Sequence, residues 1–204
     1  MATSDPQEAR LLAALLDALP AADQATVRAA YELSAALHAG QVRDEGHPYI
    51  VHPLRVAGHL AEHGYRDPAL LAAALLHDTL EDTALDEAAL EARFGQRVTA
   101  LVWAATKPML RRRRDATAYL AAAGASDAEG RLIKLADRLD NLLYLHASPR
   151  RGMRYRVLEE TRLKYVPHAV EWGRSLGEAL VAAWEAQLRR VEAEQAADPA
   201  ETSS

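Results

Sequence analysis

Four side chains able to bind a cation or move a proton crowd into six positions of "LLAAALLHDTLEDT" (Leu70 to Thr83): His77, Asp78, Glu81 and Asp82. The approach, Leu70 to Leu76, is made wholly of Leu and Ala, the composition of a buried helix. Continued at about 100° per residue, such a helix sets Leu71, Leu75, Asp78 and Asp82 on one stripe, with Glu81 beside it and His77 at its edge. The acids then extend an apolar face. There an unpaired ionised carboxylate is costly, and like charges one helical turn apart repel. The pattern asks for a cation, and a neutral imidazole with a carboxylate oxygen suits Mn, Fe, Co, Ni or Zn better than Ca.

Two ligands from one segment are not enough to hold an ion. A second imidazole is available at His52, immediately before Pro53, although its spacing alone fits a helix-capping or packing role better. "IKLADRLDNLLYL" (Ile133 to Leu145) offers a further carboxylate. Leu135, Ala136, Leu139, Leu142 and Leu143 form its core stripe, and Asp137 lies almost opposite, sharing a face with Asn141 and Tyr144. That face reads equally as the wet side of an amphipathic helix or as one wall of a cleft opposite His77 and Asp78. Periodicity does not choose between them.

The elements that must position these groups are helices. Half of the 204 residues are hydrophobic but only 5% are aromatic, so the apolar mass is Ala and Leu, which favours an all-α fold, a compact multi-helix bundle. The spacing predicts helices from about Glu8 to Leu19 and from Asp23 to His38. A third starts with Pro53 as its first residue and stops at Gly64, and a fourth opens at Asp67-Pro68 and runs through the acid cluster. Asp86 opens a short helix closed by Gly95, and another carries "VTALVWAATK". Asp127 caps a helix to about His146, and two more fill Arg154 to Glu194. We expect one domain over residues 1–196 and a frayed tail over 197–204.

There are no cysteines, so disulfides and thiolate metal sites are excluded. The acidic, polar start "MATSDPQEAR" lacks the features of a signal peptide, and no apolar run is long enough to span a membrane, so the expected location is cytoplasmic. A net charge of -5 gives no footprint for a nucleic-acid polymer. Cations are clustered even so, in "KPMLRRRR" (Lys107 to Arg114) and "PRRGMRYR" (Pro149 to Arg156), which read either as solvated loops or as a local site for a small polyanion. Nothing in the sequence specifies the oligomeric state.

Four stretches in order, "HAGQVRDEGHPYIVHPLRVA", "AALLHDTLEDT", "FGQRVTALVWAATK" and "IKLADRLDNL", resemble the motifs of the HD-type hydrolase domain of RelA/SpoT homologues. These enzymes remove the 3′-diphosphate from guanosine tetraphosphate and pentaphosphate. The resemblance runs from about His38 to Leu142, with "ETRLKYVPHAVEWG" similar to a later helix. It implies His52, His77, Asp78 and Asp137 as ligands of Mn²⁺, and Glu81 and Asp82 as the pair that positions and activates the attacking water. It further implies that Arg43 contacts the base and Asn141 the nucleoside. The chain leaves no room for the other domains of long family members, so it resembles a stand-alone small alarmone hydrolase.

A nucleotide with two diphosphates needs local cations on a negative protein, and Lys107, Lys134, Arg138 and Arg111 to Arg114 are candidates. The chain departs from the long members after "ADRL", where Asp140 stands in place of His and "NLLY" in place of "NMRT". Leu143 and Tyr144 therefore alter the side expected to hold ribose or phosphate, and an adenosine alarmone with the same 3′-diphosphate is the alternative substrate. Another kind of HD phosphohydrolase would leave "GQVRDEGHPYIVHPL" unexplained. A non-catalytic alarmone sensor would show damage in the His-Asp or Glu-Asp pairs, and both are intact.

Overall fold

Helix α4 (Pro68–Leu75) is buried all round, with Leu70 to Leu75 almost wholly screened from solvent. A helix apolar on every face belongs at a centre. Around it in a computed structural model, which describes residues 5–106, 120 and 122–197, pack α2 (Ala21–Leu37), α3 (Val51–Glu62), α6 (Glu87–Ala105) and α7 (Asp127–Leu143). The first helix, α1 (Pro6–Asp17), lies on α3, and α5 (Thr79–Asp82) is a single turn after α4. A 3₁₀ turn at Leu145–Ala147 leads to α8 (Arg151–Lys164), α9 (Ala169–Trp172) and α10 (Arg174–Ala197), with α9 and α10 closing over α7. The described residues form no strand, only one isolated bridge between Val42 and Pro48. The all-α bundle expected from composition is what forms.

Local chemistry accounts for most boundaries. The Asp67 carboxylate accepts from the Leu70 amide at 2.8 Å with Pro68 in the first turn, and Asp86 accepts from Ala89 at 2.8 Å. Gly64 follows α3 with φ 91°, and Gly95 at φ 79° kinks α6 where two helices were expected. Ser126 caps α7, accepting from the Glu129 amide, where Asp127 was expected to do so. The third helix starts two residues before Pro53, at Val51. The expected frayed tail falls largely on 198–204, outside the described residues; Ala197 still belongs to α10.

The largest departure concerns α4. It does not continue through the acid cluster: Leu76 adopts φ −109° and ψ 4°, and His77 and Asp78 form a turn before α5. The continuous stripe through Leu71, Leu75, Asp78 and Asp82 is therefore replaced by a corner. Side-chain bonds to main-chain carbonyls stabilise it, from His77 Nδ1 to Ala74 and from Thr79 Oγ1 to Leu76.

Helix α7 carries one wall of the site, and its depth is set by contact with α6. A Cβ on Gly130 would sit 2.6 Å from the Ala104 Cβ, on a side chain that has no rotamer to yield. Gly130→Ala should therefore destabilise the protein by about 1–3 kcal/mol through overpacking, despite the gain of about 1 kcal/mol in helix propensity. A urea titration measures this, and unchanged or higher stability would show that α6 and α7 can part freely.

Candidate metal centre

The corner after α4 turns His77 and Asp78 toward α3 and α7. His52 in the first turn of α3 and Asp137 in the middle of α7 meet them there. Ligand atoms of His52, His77 and Asp78 lie within 4.8 Å of one another. Nε2 of His52 stands 3.3 Å from Asp137 Oδ1 and 3.8 Å from Asp78 Oδ2. Nε2 of His77 is 3.2 Å from Asp78 Oδ2 and 3.8 Å from Asp137 Oδ1. Atoms each about 2.0–2.2 Å from one ion would be separated by roughly 3–3.5 Å, so the grouping of His52, His77 and Asp78 fits a shared cation, with Asp137 Oδ1 3.3 Å from one imidazole and 3.8 Å from the other.

The tautomers agree with this. His77 Nδ1 is 2.8 Å from the Ala74 carbonyl and must donate to it. His52 Nδ1 donates to Asp140 Oδ2 at 2.6 Å. With the far nitrogens so engaged, either ring when neutral presents its lone pair on Nε2 to the common point, where His77 Nε2 lies buried 3.2 Å from Asp78 Oδ2.

The electrostatics demand positive charge. Burial opposes protonation of His77, but the charge and hydrogen bond of Asp78, then the charge of Asp137, raise its pKa to about 10. Burial would raise the Asp78 and Asp137 carboxyls, yet both are held below the ordinary range, Asp78 chiefly by His77 and Asp137 by the hydrogen bond with His52. Two ionised acids thus face His77, whose proton supplies positive charge, and a divalent ion at the centre would take the place of that proton on Nε2.

Tyr49 completes this wall and was not expected from the sequence. Its hydroxyl donates to Asp78 Oδ2 at 2.6 Å, and its ring stacks on His38 at 4.4 Å. Burial, followed by the nearby Asp78 charge, pushes its pKa far up, so it remains a donor. The signal available was its place between the loop and His52, in "HPYIVH".

The other expected residues divide. Arg43 Nη2 donates to Asn141 Oδ1 at 2.8 Å, and Asn141 Nδ2 donates to Asp137 Oδ1 at 2.6 Å. Arg43 and Asn141 are thereby joined to Asp137. Glu81 and Asp82 lie on α5, one turn beyond Asp78, Glu81 half-buried and Asp82 exposed. Tyr144 carries the Arg55 guanidinium on its ring, 3.5 Å from the centroid. Arg138 pairs with Glu160 at 3.1 Å and lies over Tyr165, facing α8. Lys134 is half-buried one turn earlier. Lys107 and Arg111 to Arg114 lie outside the described residues.

Helix α7 also differs in detail from its expected stripe. Leu143 is 41% exposed, whereas Asp140 is completely buried. Asp140 and Arg55 form a buried ion pair that was not expected from the sequence.

The HD domain family profile matches residues 30–173, and the chain belongs to that family. Among its relatives, a guanosine-3′,5′-bis(diphosphate) 3′-pyrophosphohydrolase of Aquifex aeolicus is 42% identical over 72% of this chain and 21% of its own length. A GTP pyrophosphokinase of Myxococcus xanthus is 38% identical over 76% of this chain and likewise 21% of its own. The chain thus spans about a fifth of these relatives. A solved structure described as a metazoan ortholog of SpoT that hydrolyzes ppGpp is similar at a TM-score of 0.68 and 28% identity, covering 83% of this chain and 97% of that one.

An ion shared by His52, His77, Asp78 and Asp137 would link metal binding to folding. Mn²⁺ at a hundredfold excess over its dissociation constant should stabilise the protein by about 2.7 kcal/mol, and a chelator should reverse the gain. Thermal melts with and without ion read this directly. Curves that coincide, with metal content confirmed to differ, would exclude a common site for the four residues.

Proposed function

We propose that this chain is a 3′-pyrophosphohydrolase of guanosine tetraphosphate and pentaphosphate, acting as a single unit over residues 1–196 in the cytoplasm with Mn²⁺ as its ion. The observation that carries the reading is the convergence of His52, His77, Asp78 and Asp137 beside the Glu81-Asp82 pair. The names of its relatives include both hydrolase and pyrophosphokinase, at a fifth of their length. The neighbour that this chain covers almost whole is the one described as hydrolysing ppGpp, which favours hydrolysis.

When bound, a divalent ion supplies charge neutralisation at the phosphate and lowers the pKa of water. The protein groups supply the rest. His52 and His77 offer Nε2, while Asp78 and Asp137 offer anionic oxygens whose directions Tyr49 and Asn141 fix. Glu81 and Asp82 orient the attacking water and accept its proton. The water oxygen bonds to the phosphorus attached to the ribose 3′ oxygen, and the bond from that phosphorus to the 3′ oxygen breaks. The 3′ oxygen takes the proton that the acid pair received and leaves as the hydroxyl of GDP or GTP, and the other product is pyrophosphate. Arg43, held between Asn141 and Glu45, presents a guanidinium plane on which a purine can stack.

Incubation of the Mn²⁺-loaded protein with guanosine and adenosine 3′,5′-polyphosphates, with products separated by ion exchange, tests reaction and base together. Guanosine tetraphosphate should give GDP and pyrophosphate in one step. Release of orthophosphate, attack at the 5′ diphosphate, or a preference for the adenosine series would overturn the proposed substrate or its pose. In the same assay Glu81→Gln should lower the rate on the order of 10² to 10⁴-fold with metal content unchanged, whereas Asp78→Asn should lose metal and activity together.

A further inference from the structure

A second layer of charge stands behind the cluster, where this chain has Asp140. Its carboxylate is completely buried, with Oδ2 2.6 Å from His52 Nδ1 and Oδ1 2.8 Å from Arg55 Nε. Arg55 reaches Oδ2 as well, at 3.2 Å, so the guanidinium grips both oxygens. Nε2 of His59 is a further 3.6 Å from Oδ1. Arg55 itself is 4% exposed, bonded through Nη2 to Glu45 at 3.1 Å and stacked on Tyr144. Removing two charges from water is expensive, and well-packed apolar residues often serve a core as well or better. The ion pair therefore calls for a use beyond stability, and the oxygen on His52 supplies one.

We propose that Asp140 is a positioning residue of the metal centre. Through Nδ1 it fixes which nitrogen of His52 faces Asp78 and Asp137, and Arg55 holds its two oxygens in place. This rests on the metal-centre reading given above. A carboxylate only accepts, so it compels His52 to carry its proton on Nδ1 and leaves the Nε2 lone pair for the ion. The carboxamide of Asn cannot serve both partners. Arg55 donates to two oxygens, and with one of them gone an amide NH₂ is left facing either Arg55 or His52. The relief is to turn the NH₂ toward His52, which then accepts on Nδ1 and carries its proton on Nε2, where it cannot bind a metal. Replacement of a carboxylate by its amide beside a functional histidine produces this wrong tautomer in the serine protease triad.

The test compares wild type, Asp140→Asn and the double variant Asp140→Leu/Arg55→Met, in which both buried charges are removed together, the fold is spared an unpaired guanidinium, and nothing is left to accept from His52 Nδ1 while Asp137 still faces Nε2 at 3.3 Å. Free Mn²⁺ is followed by electron paramagnetic resonance without nucleotide, and long-range proton–nitrogen spectra report the histidine tautomers. Both variants should bind Mn²⁺ 10–100-fold more weakly and show His52 protonated on Nε2, while KM for nucleotide at saturating Mn²⁺ stays near wild type. Folded variants that melt lower but bind Mn²⁺ as wild type does, with the Nδ1–H tautomer retained, would make Asp140 a stabilising residue only and overturn the proposal. If wild type binds no Mn²⁺ yet its His52 tautomer still switches with Asp140, the metal reading falls and the tautomer assignment stands.

Discussion

Two carboxylates held face to face with two imidazoles in a buried corner are the constraint around which this molecule is arranged. Asp78 and Asp137 come from segments far apart in the chain and meet His52 and His77 within 3.2–3.8 Å. In a poorly solvated setting such acids stay ionised only if positive charge is provided. Each adjoining polar group supports that condition. Tyr49 and Asn141 donate to the two carboxylates, and main-chain and side-chain acceptors hold the far nitrogen of each imidazole, leaving both Nε2 atoms pointing inward.

The scaffold meets the need by combining one fully apolar helix with its abrupt end. Helix α4 gives up any polar face and is surrounded by α2, α3 and α6, which fixes Leu75 in space. The chain then leaves helical geometry at Leu76, and this delivers His77 and Asp78 to the gap between α3 and α7. An uninterrupted helix would have spread the four polar groups of the segment over a long stripe. The corner gathers two of them and places Glu81 and Asp82 one turn further along. The Arg43-to-Asn141-to-Asp137 chain of hydrogen bonds then joins the loop before α3 to the same centre, so a ligand held by Arg43 would lie beside the cation.

Features with local causes were legible in the sequence. Asp67-Pro68 and Asp86 start helices because their carboxylates cap the first amides, and Gly64 and Gly95 mark a stop and a kink because both adopt positive φ. The corner at Leu76 was not, since "LLHDTL" has neither Pro nor Gly and its stabilising bonds, from His77 and Thr79 to carbonyls, compete with the helix only after burial. Asp137 could not be told from a solvated acid by periodicity, because His52 and His77 approach it from other helices. Asp140 was hidden for the same reason: its partners His52 and Arg55 lie 88 and 85 positions away. Tyr144, expected at the nucleotide, carries Arg55 on its ring, a cation whose own burial required the fold to be known.

The central claim is geometric: one cation, held jointly by two histidines and two aspartates. Anomalous diffraction from crystals soaked in Mn²⁺, recorded on both sides of the manganese edge, tests it without recourse to activity. A single peak should appear about 2.0–2.2 Å from His52 Nε2, His77 Nε2 and one oxygen each of Asp78 and Asp137. A peak bound instead by Glu81 and Asp82, or a site engaging only one of the two histidines, would contradict the account.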